Sequence, residues 1–496
     1  MTKTVRDAAK ERARGTGRKE AMCLALLIAA SCARAAEERA WRLDAGADFR
    51  LRQEIMGHLP GMPGDGYSLA PTTRAKSRNQ IRMRPRAWIE AASGPYALYL
   101  RIADEMRHYP TLHGSRHSRA YYFPDEVFLD NLYLEGRGIE SDALSAVGVT
   151  ALDFRLGRQD LFEGGHSVFG LDRLLVEGTA TDGSRSFYAD MARARLHFGD
   201  AHAVDAFALY DSGRSDLRVG TSRSRGRSLN CVNMSDDGDL DEWGGGLVYS
   251  GRAGAFPFKV YAIFKRAESH TTRRPAPRVR PAREITTLGV QGEVPIAEEL
   301  GVEYEAGKQF GRILDGNRQA GGWMAHAELK WRPAAWQGVK GVVSGAATYY
   351  SGDRHRTGDD DNDTGWDPLW GRYTQDSEML VYGSLYENCR WTNVLYAKAK
   401  VTMSFGRAHG LYVYSGPMFA AERDGLGHAD GGGSRFMGVL SAARYDMPVR
   451  LAPKGAEGLD RVEVVAHVVA EVFNPGGYYE SRDTAFFFRW QVDFRF

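Results

Sequence analysis

The sequence predicts an all-β protein, namely a transmembrane, antiparallel, up-and-down β-barrel of about 18 strands with short periplasmic turns and long extracellular loops. Three observations support this fold class. Apolar and charged residues alternate with period two over segments of about 10 to 14 residues, long enough for a tilted strand to cross a bilayer. The connections between these segments alternate between short and long. The last such segment ends on the aromatic residue Phe496.

Composition excludes several other classes. The chain has 496 residues, of which 43% are hydrophobic and 26% are charged, so it is not a disordered chain. Its mean hydropathy is −0.42, and its one long apolar run, residues 21–30, is about half the length of a membrane-spanning helix. The 57 glycines, 11% aromatic residues and 18 prolines favour many strands joined by tight turns. Four cysteines are too few for a disulfide framework in a chain of this length.

Residues 1–35 have the features of a secretory signal. A basic start precedes the apolar run, and Ala33-Arg34-Ala35 matches the small-x-small cleavage pattern. We expect cleavage after Ala35, which leaves residues 36–496 as the barrel. The alternative is acylation of Cys32, but the sequence before it lacks the usual branched apolar residue three positions upstream.

The charge balance changes when this segment is removed. Residues 36–496 keep 57 basic and 60 acidic side chains, a net charge of −3, so the pI of 8.2 mostly describes the first 35 residues. Basic residues also form no cluster with interleaved aromatics outside the predicted strands. We therefore expect no nucleic-acid partner.

The first predicted strand, residues 41–52, has one apolar face and one charged face. The apolar face carries Trp41, Leu43, Ala45, Ala47, Phe49 and Leu51, and the other carries Arg42, Asp44, Asp48, Arg50 and Arg52. In the last strand Phe486, Phe488, Trp490, Val492, Phe494 and Phe496 alternate with Phe487, Arg489, Gln491, Asp493 and Arg495. An apolar face toward lipid and a polar face toward a channel would produce this pattern.

Similar alternation recurs in the segments around residues 96–102, 192–198, 300–306 and 462–471. The predicted short connections are 92–95, 199–201, 295–298 and 406–410, and the long ones are 53–76, 109–124, 161–184, 214–239 and 352–391. A soluble sandwich also alternates, but its strands are usually about five or six residues long. Strand length and alternating connections therefore favour a barrel, and one of this size encloses an aqueous channel.

Several motifs, taken in order, carry a resemblance to a known family. They are Leu156-Gly157-Arg158-Gln159, residues 125–134, Ser351-Gly352-Asp353, Trp366-Asp367-Pro368-Leu369 and the terminal Phe496. Together they resemble the bacterial alginate export family over essentially all of residues 36–496. The resemblance implies the outer membrane of a Gram-negative bacterium and an arginine-lined lumen that selects a polyanion. It also implies gating by a long extracellular loop and a periplasmic turn.

The arginine content agrees with that expectation, since residues 36–496 hold 48 arginines and 9 lysines. Guanidinium groups bind carboxylates through a planar fork. The residues we expect to line the lumen are Arg50, Arg52, Arg82, Arg84, Arg86, Arg101, Arg155, Arg158, Arg193, Arg195, Glu303, Glu305, Arg489 and Arg495. Arg158 alternates in step with the residues predicted to face lipid. It can therefore reach the lumen only if the strand has a bulge at Gly157 or if Arg158 lies at the rim of the barrel. The alternative is that lumen arginines pair with lumen acids and stabilise the barrel.

The segment 352–391 is too long and too aromatic for a plain hairpin loop. We expect it to fold over or into the extracellular mouth and to gate it, with Asp359, Asp361, Trp366, Asp367 and Trp370 as the gating residues. The run from Asp359 to Asp363 offers carboxylates for calcium, but it lacks the ligand spacing of a known calcium loop, so a solvated tip is favoured.

We expect neither an enzyme nor a cofactor or metal site. His166 and Ser167 are adjacent, which points their side chains in different directions. Asp353, His355, His428 and Asp430 lie in predicted loops, where such residues are usually solvated. A bridge between Cys231 and Cys389 has no further support.

The sequence therefore predicts an outer-membrane, anion-selective channel that passes an acidic polysaccharide, alginate or alginate-like, through an arginine-lined lumen. Its partners would be outer-membrane lipid, the anionic polysaccharide, and a periplasmic export or barrel-assembly machinery. The alternatives are a general or small-solute porin for sugars or anions, and a structural or adhesive barrel with a plugged lumen. The polymer, the direction of transport and the oligomeric state stay open.

Overall fold

The computed structural model describes residues 41–58, 78–104, 106–108, 110, 121–122, 128–163, 166–174, 188–211, 242–271, 279–314, 316–334, 338–353, 362–370, 377–379, 392–406, 409–422, 434–449, 462–479 and 483–496. Within these ranges 18 long strands form the barrel. They are β1 Arg42–Gly57, β2 Arg78–Ser93, β3 Tyr96–Ala103, β4 Phe128–Ile139, β5 Ala151–Asp160, β6 Tyr188–Phe198, β7 His202–Asp211, β8 Glu242–Ala253, β9 Phe256–Ala267, β10 Arg283–Pro295, β11 Leu300–Ile313, β12 Trp323–Trp331, β13 Lys340–Tyr350, β14 Val394–Phe405, β15 His409–Phe419, β16 Phe436–Val449, β17 Glu463–Pro475 and β18 Ala485–Arg495.

Shorter elements lie in the connections. They are the strand segments Met106–His108, Tyr121–Tyr122, Phe162–Glu163, His166–Ser167, His270–Thr271, Val279–Arg280, Arg318–Ala320 and Asn362–Asp363, and the one-turn helix α1, Asp142–Ser145. Helix α1 begins after Ser141, whose side chain accepts a hydrogen bond from the Leu144 amide. In the part of the chain that the structure describes, no helix has the length and apolar character needed to cross a membrane.

Each long strand pairs antiparallel with the next, and β18 pairs with β1. That closing pair runs in register from Asp48 opposite Arg495 to Gly57 opposite Phe486. Closure gives every strand two hydrogen-bonded neighbours, which a membrane-embedded sheet requires because lipid offers the backbone no hydrogen bonds. The predicted fold class, a closed antiparallel barrel of 18 strands, is confirmed.

The two faces of the strands differ as the alternation predicts. Large apolar side chains are exposed on the outer surface, whereas buried charged and polar side chains occupy the inner face. The outward set includes Trp41, Leu43, Leu98, Trp243, Leu247, Phe256, Phe310, Trp323, Leu329, Trp331, Phe486 and Phe496. An apolar outer band with aromatic residues near its edges is the lipid-facing surface of an outer-membrane barrel. The predicted location in the Gram-negative outer membrane is confirmed.

Short and long connections alternate around most of the barrel, as expected; the exceptions at the short-turn end are residues 140–150, between β4 and β5, and residues 450–462, between β16 and β17. Strands β2 and β3, β6 and β7, and β8 and β9 are joined by tight turns at Gly94, Gly199 and Gly254, each with a positive φ that suits glycine. The long connections lie at the opposite end, which we assign to the extracellular side. The first of them begins later than predicted, because β1 continues to Gly57 rather than ending before residue 53.

Several parts of the long connections pack inside the barrel. Residues 161–163, 166–174, 362–370, 377–379 and 476–479 contribute buried apolar side chains to one cluster with the inner faces of the extracellular strand ends. The predicted signal segment, residues 1–35, and the gating residues Asp359 and Asp361 lie outside the described residues. So do His355, His428, Asp430, Cys231 and Cys389.

Candidate functional site

The inner faces of β1, β2 and β18 form a surface that we call the basic wall. Arg50 lies directly opposite Arg84, and Arg52 directly opposite Arg82, in the β1–β2 register. Like charges in direct opposition destabilise a sheet. Acidic residues at neighbouring inner positions are therefore needed to hold these arginines in place.

Those acidic residues are present on the same strands. Arg50 Nε donates to Asp493 Oδ1 at 2.7 Å. Glu54 is fully buried, with Oε1 3.0 Å from Arg52 Nε and Oε2 3.5 Å from Arg82 Nη1. Asp48 likewise lies between two cations, 2.9 Å from Arg86 Nε and 3.6 Å from Arg84 Nη2. The basic wall is thus a network of ion pairs.

The same arrangement continues onto β3, β4 and β5. Arg101 contacts two carboxylates, Asp130 at 2.5 Å and Asp160 at 2.7 Å. Arg155 donates to Glu135 at 3.0 Å, and its guanidinium lies over the Tyr133 ring.

On β6 and β7, Arg193 and Arg195 share the buried Asp205, at 2.8 and 2.9 Å. On β18, Arg489 is fully buried and pairs with Glu378 at 3.0 Å, whereas Arg495 is 64% exposed at the periplasmic rim beside Glu463. The structure therefore places these predicted arginines on the inner face, and each of them contacts an acid.

The alternation in the sequence identified the arginines, but the predicted lumen residues included only two acids, Glu303 and Glu305, and omitted the acids that lie between the arginines. A usable signal was present, because Asp48, Arg50, Arg52 and Glu54 all share one phase of β1. The partners on other strands, such as Asp205 and Asp493, could be identified only from the strand register.

The basic wall borders a recess of about 190 Å³ in the periplasmic half of the lumen. Five arginines, two aspartates and one histidine line it, together with Val465 and Gln491; the charged residues and the histidine are Asp48, Arg50, Arg84, Arg86, Arg444, His467, Asp493 and Arg495. Arg444 and Arg495 are also paired, with Asp446 at 2.9 Å and Glu463 at 3.1 Å, so five arginines meet four carboxylates and the recess keeps a small excess of positive charge. Strands β16 and β17 contribute Arg444 and His467, neither of which the sequence analysis had selected.

Arg158 is placed differently from the expectation that it lines the lumen. It lies directly opposite Asp190 and Leu132, and Leu132 is exposed on the outer surface. Its guanidinium forms a two-point ion pair with Asp190, at 2.9 and 3.1 Å. The β5–β6 register is continuous past Gly157, despite the positive φ of that glycine. Without a bulge the phase is unchanged, so Arg158 lies on the outer side, near the extracellular end of the strand.

Glu303 and Glu305 lie on the inner face of β11, about half-way round the barrel from β1. Glu303 accepts a hydrogen bond from Lys330. Glu305 is buried and accepts from the backbone amide of Arg173, at 3.1 Å, which attaches the segment 166–174 to the barrel wall. Both carboxylates are therefore engaged with neighbouring groups.

The extracellular half of the lumen contains a loop that we call the inserted loop, residues 362–370. It belongs to the predicted gating segment, and Trp366, Asp367 and Trp370 are each only 3% exposed. Trp370 packs edge-on against Phe207 of β7, and the ring of Trp366 lies tilted against that of Tyr350 of β13. The described part of the gating segment lies within the barrel mouth.

Asp367 is the main polar anchor of the inserted loop. Its carboxylate accepts from Arg283 at 2.8 Å and from Lys265 at 3.3 Å. Its backbone is held by the Gln309 side chain, which accepts from the Asp367 amide and donates to the Asp367 carbonyl. Lys265 is fully buried and also pairs with Glu242 at 3.1 Å. These partners lie on β8 to β11, and the sequence analysis did not identify them.

Two further segments, residues 166–174 and residues 377–379, attach to the inner wall of the barrel. Phe169 packs on Phe207, and its carbonyl accepts from Lys259 Nζ at 2.8 Å. The buried carboxylate of Glu471 accepts from the Glu378 and Met379 amides, at 2.8 and 3.0 Å. The extracellular half is consequently filled by loop residues that are fixed to several strands.

No known protein-family model matches this sequence, and no curated protein matches it. Solved structures are similar in fold. The crystal structure of Acinetobacter baumannii OccAB1 has a TM-score of 0.51 at 9% identity, covering 91% of this chain and 96% of that chain. The outer membrane protein OprD from Pseudomonas aeruginosa gives 0.46 at 10% identity, covering 91% and 93%. The likeness concerns the barrel fold, and it lends no support to the alginate export family.

Proposed function

We propose that this barrel is a passive outer-membrane channel for small anionic solutes. The observation that carries the proposal is the recess in the periplasmic half of the lumen, which five arginines line and where they outnumber their carboxylate partners by one. Guanidinium groups remain charged at any working pH and bind carboxylates or phosphates through two parallel hydrogen bonds.

The ion pairs of the basic wall suit transport better than permanent capture. Each arginine already has a carboxylate partner, such as Asp493 for Arg50 and Asp48 for Arg86. An anionic solute would exchange with these partners and would not meet bare cations. Weak, repeated binding of this kind allows entry and release, which conduction requires.

The inserted loop favours a small solute over a polysaccharide. Trp366, Leu369 and Trp370 are buried within the extracellular half of the lumen, against side chains of the barrel wall. A polymer must occupy the whole length of a pore at once, so it needs a continuous wide path. A small ion needs only a gap that its own diameter can pass. This is why we favour the small-solute alternative over the acidic-polysaccharide hypothesis.

The test is the reversal potential of single channels of the refolded protein in a potassium chloride gradient. We expect anion selectivity, and we expect succinate to carry current. Replacing Arg50, Arg84 and Arg86 together by glutamine should lower the chloride-to-potassium permeability ratio about tenfold, since several charges of the recess are lost. Arg332→Gln, in the turn after β12, is the matched control and should leave the ratio unchanged.

Two results would contradict the proposal. One is a wild-type channel that prefers cations or does not discriminate between them and anions. The other is passage of oligouronate chains through the wild-type channel, which would restore the polysaccharide hypothesis. Heat-modifiable migration in gels shows whether each variant is a folded barrel.

A further inference from the structure

A cluster of ionisable residues lies on the inner face of β11 and β12, away from the basic wall. Glu303 lies directly opposite Glu328 in the strand register, and Glu305 lies directly opposite His326. One potential ligand atom from each of Glu303, His326 and Glu328 lies within 4.8 Å of the others. Two carboxylates in direct opposition repel each other unless cations lie between them.

His326 points an unused nitrogen into this cluster. The residue is 4% exposed, and its Nδ1 forms a hydrogen bond of 2.7 Å with the Thr348 hydroxyl of β13. Its Nε2 is buried and has no hydrogen-bond partner among the residues that the structure describes. Glu328 Oε2 lies 3.8 Å from this nitrogen, too far for a hydrogen bond. A buried ring nitrogen without a partner is costly unless it binds something.

The hydrogen bonding of the His326 ring, with Nδ1 engaged and Nε2 without a partner among the described residues, suits a metal ligand. A histidine that binds a metal through one ring nitrogen usually donates a hydrogen bond from the other ring N–H to a neighbouring oxygen atom. This hydrogen bond fixes the tautomer and the orientation of the ring. Thr348 has that role here, because it engages Nδ1 and leaves Nε2 directed at the carboxylates.

Two lysines each pair with one carboxylate of the cluster. Lys330 Nζ pairs with Glu303 Oε2, and Lys400 Nζ lies 2.6 Å from Glu328 Oε1, which also accepts from Ser344. Glu328 Oε2, on the side of His326, is therefore left for a further cation. The lysine side chains are 19% and 17% exposed, so they can swing toward the lumen when another cation replaces them.

We infer that Glu303, His326 and Glu328 form a binding site for one divalent transition-metal ion in the lumen wall. One imidazole and two carboxylates are a ligand set that suits Zn²⁺, with a water molecule in the fourth position. Ligands of a tetrahedral Zn²⁺ lie roughly 3.4 Å apart. The three groups therefore need only small side-chain rotations to close on the ion.

The experiment is a calorimetric titration of the refolded, chelator-treated barrel with ZnCl₂ at neutral pH. We expect one equivalent of Zn²⁺ to bind. His326→Ala should abolish this binding, and Glu328→Gln should weaken it at least tenfold, because each removes one ligand. The matched control is His467→Ala, which removes another buried inner-face histidine, 3.9 Å from Asp446, and should leave Zn²⁺ binding unchanged.

A second measurement uses the wild-type protein alone, so it does not depend on how the variants fold. Co²⁺ in place of Zn²⁺ should give strong visible absorption bands, as expected for a four-coordinate ion with a nitrogen ligand. Weak bands typical of hydrated Co²⁺ would overturn the inference. So would the absence of stoichiometric Zn²⁺ binding in the wild type, or equal binding by the wild type and a folded His326→Ala variant.

Discussion

The periplasmic and extracellular halves of the lumen are built from inner positions of the same strands, yet they are filled in opposite ways. In the periplasmic half, Arg50, Arg84 and Asp493 border a charged recess. In the extracellular half, Phe207, Trp366 and Trp370 belong to an apolar cluster. Strand side chains line the recess of the first region, whereas loops that enter the barrel complete the second.

This difference separates two tasks of a channel. Charges beside an aqueous recess act on ions electrostatically, so we expect the periplasmic half to set selectivity. Packed apolar groups exclude water and close a path, so we expect the extracellular half to set conductance. The comparison predicts that changes in one half alter one property and largely spare the other.

Deletion of residues 358–372 should have the largest effect. It removes Trp366, Asp367 and Trp370 from the lumen, so single-channel conductance and open probability should rise several-fold while ion selectivity changes little. A control deletes the same number of residues, 218–232, from the connection between β7 and β8. Unchanged current traces for 358–372 would contradict gating by the inserted loop.

Asp367→Asn should open the channel less completely. The substitution keeps the shape but removes the charge that Arg283 and the buried Lys265 contact. Breaking a buried ion pair costs about 3 kcal/mol, so the inserted loop should detach in a measurable fraction of the time. Single-channel recordings should show brief transitions to a higher conductance. Asp483→Asn, on a rim residue whose side chain is 67% exposed, is the control and should show none.

Asp205→Asn should change selectivity without changing conductance states. Arg193 and Arg195 both lose their shared carboxylate, so the lumen wall at this position becomes more positive by one unit charge. The chloride-to-potassium permeability ratio should rise about twofold to fivefold, since one unit charge in water at contact distance contributes about 1 kcal/mol. Asp190→Asn is the matched control, because Asp190 pairs with Arg158 on the outer side. An equal effect of both substitutions would exclude a role for the inner position.

Raising the potassium chloride concentration should have the smallest effect on the structure. Of the channel properties, it should alter the ion selectivity and leave the gating unchanged. The Debye length falls from about 10 Å at 0.1 M to about 3 Å at 1 M, so the field of the basic wall is screened. Anion selectivity should therefore fall toward unity. The frequency of gating transitions should stay nearly constant, because the apolar contacts of the inserted loop are not screened. A parallel change in both quantities would mean that ion pairs control the loop as well.

Much of the barrel could be predicted from local patterns. Trp41 and Leu43 at one end, and Phe486 and Phe488 at the other, share a phase that the structure places outward. The number of strands and the alternation of turns and loops followed from the same period-two pattern. Arg158 shows how far that pattern holds, because its phase indicated the outer side and the family resemblance indicated the lumen. The register agrees with the phase.

The candidate sites depended on information that the sequence does not display. Asp493 is close to Arg50 only because β18 closes against β1 across the whole chain. Lys265 and Arg283 meet Asp367 only because a loop more than eighty positions later turns back into the barrel. Likewise, Glu303 joins His326 and Glu328 through the register of β11 and β12.

The sequence by itself determined the strands, their inward and outward faces, and the excess of arginine on the inner positions, because period two is a property of neighbouring residues. The tertiary structure decided which charges pair, which loops enter the lumen, and where a histidine meets two carboxylates. These outcomes depend on strand register and on contacts between distant residues, which are selected by the packing of the whole barrel.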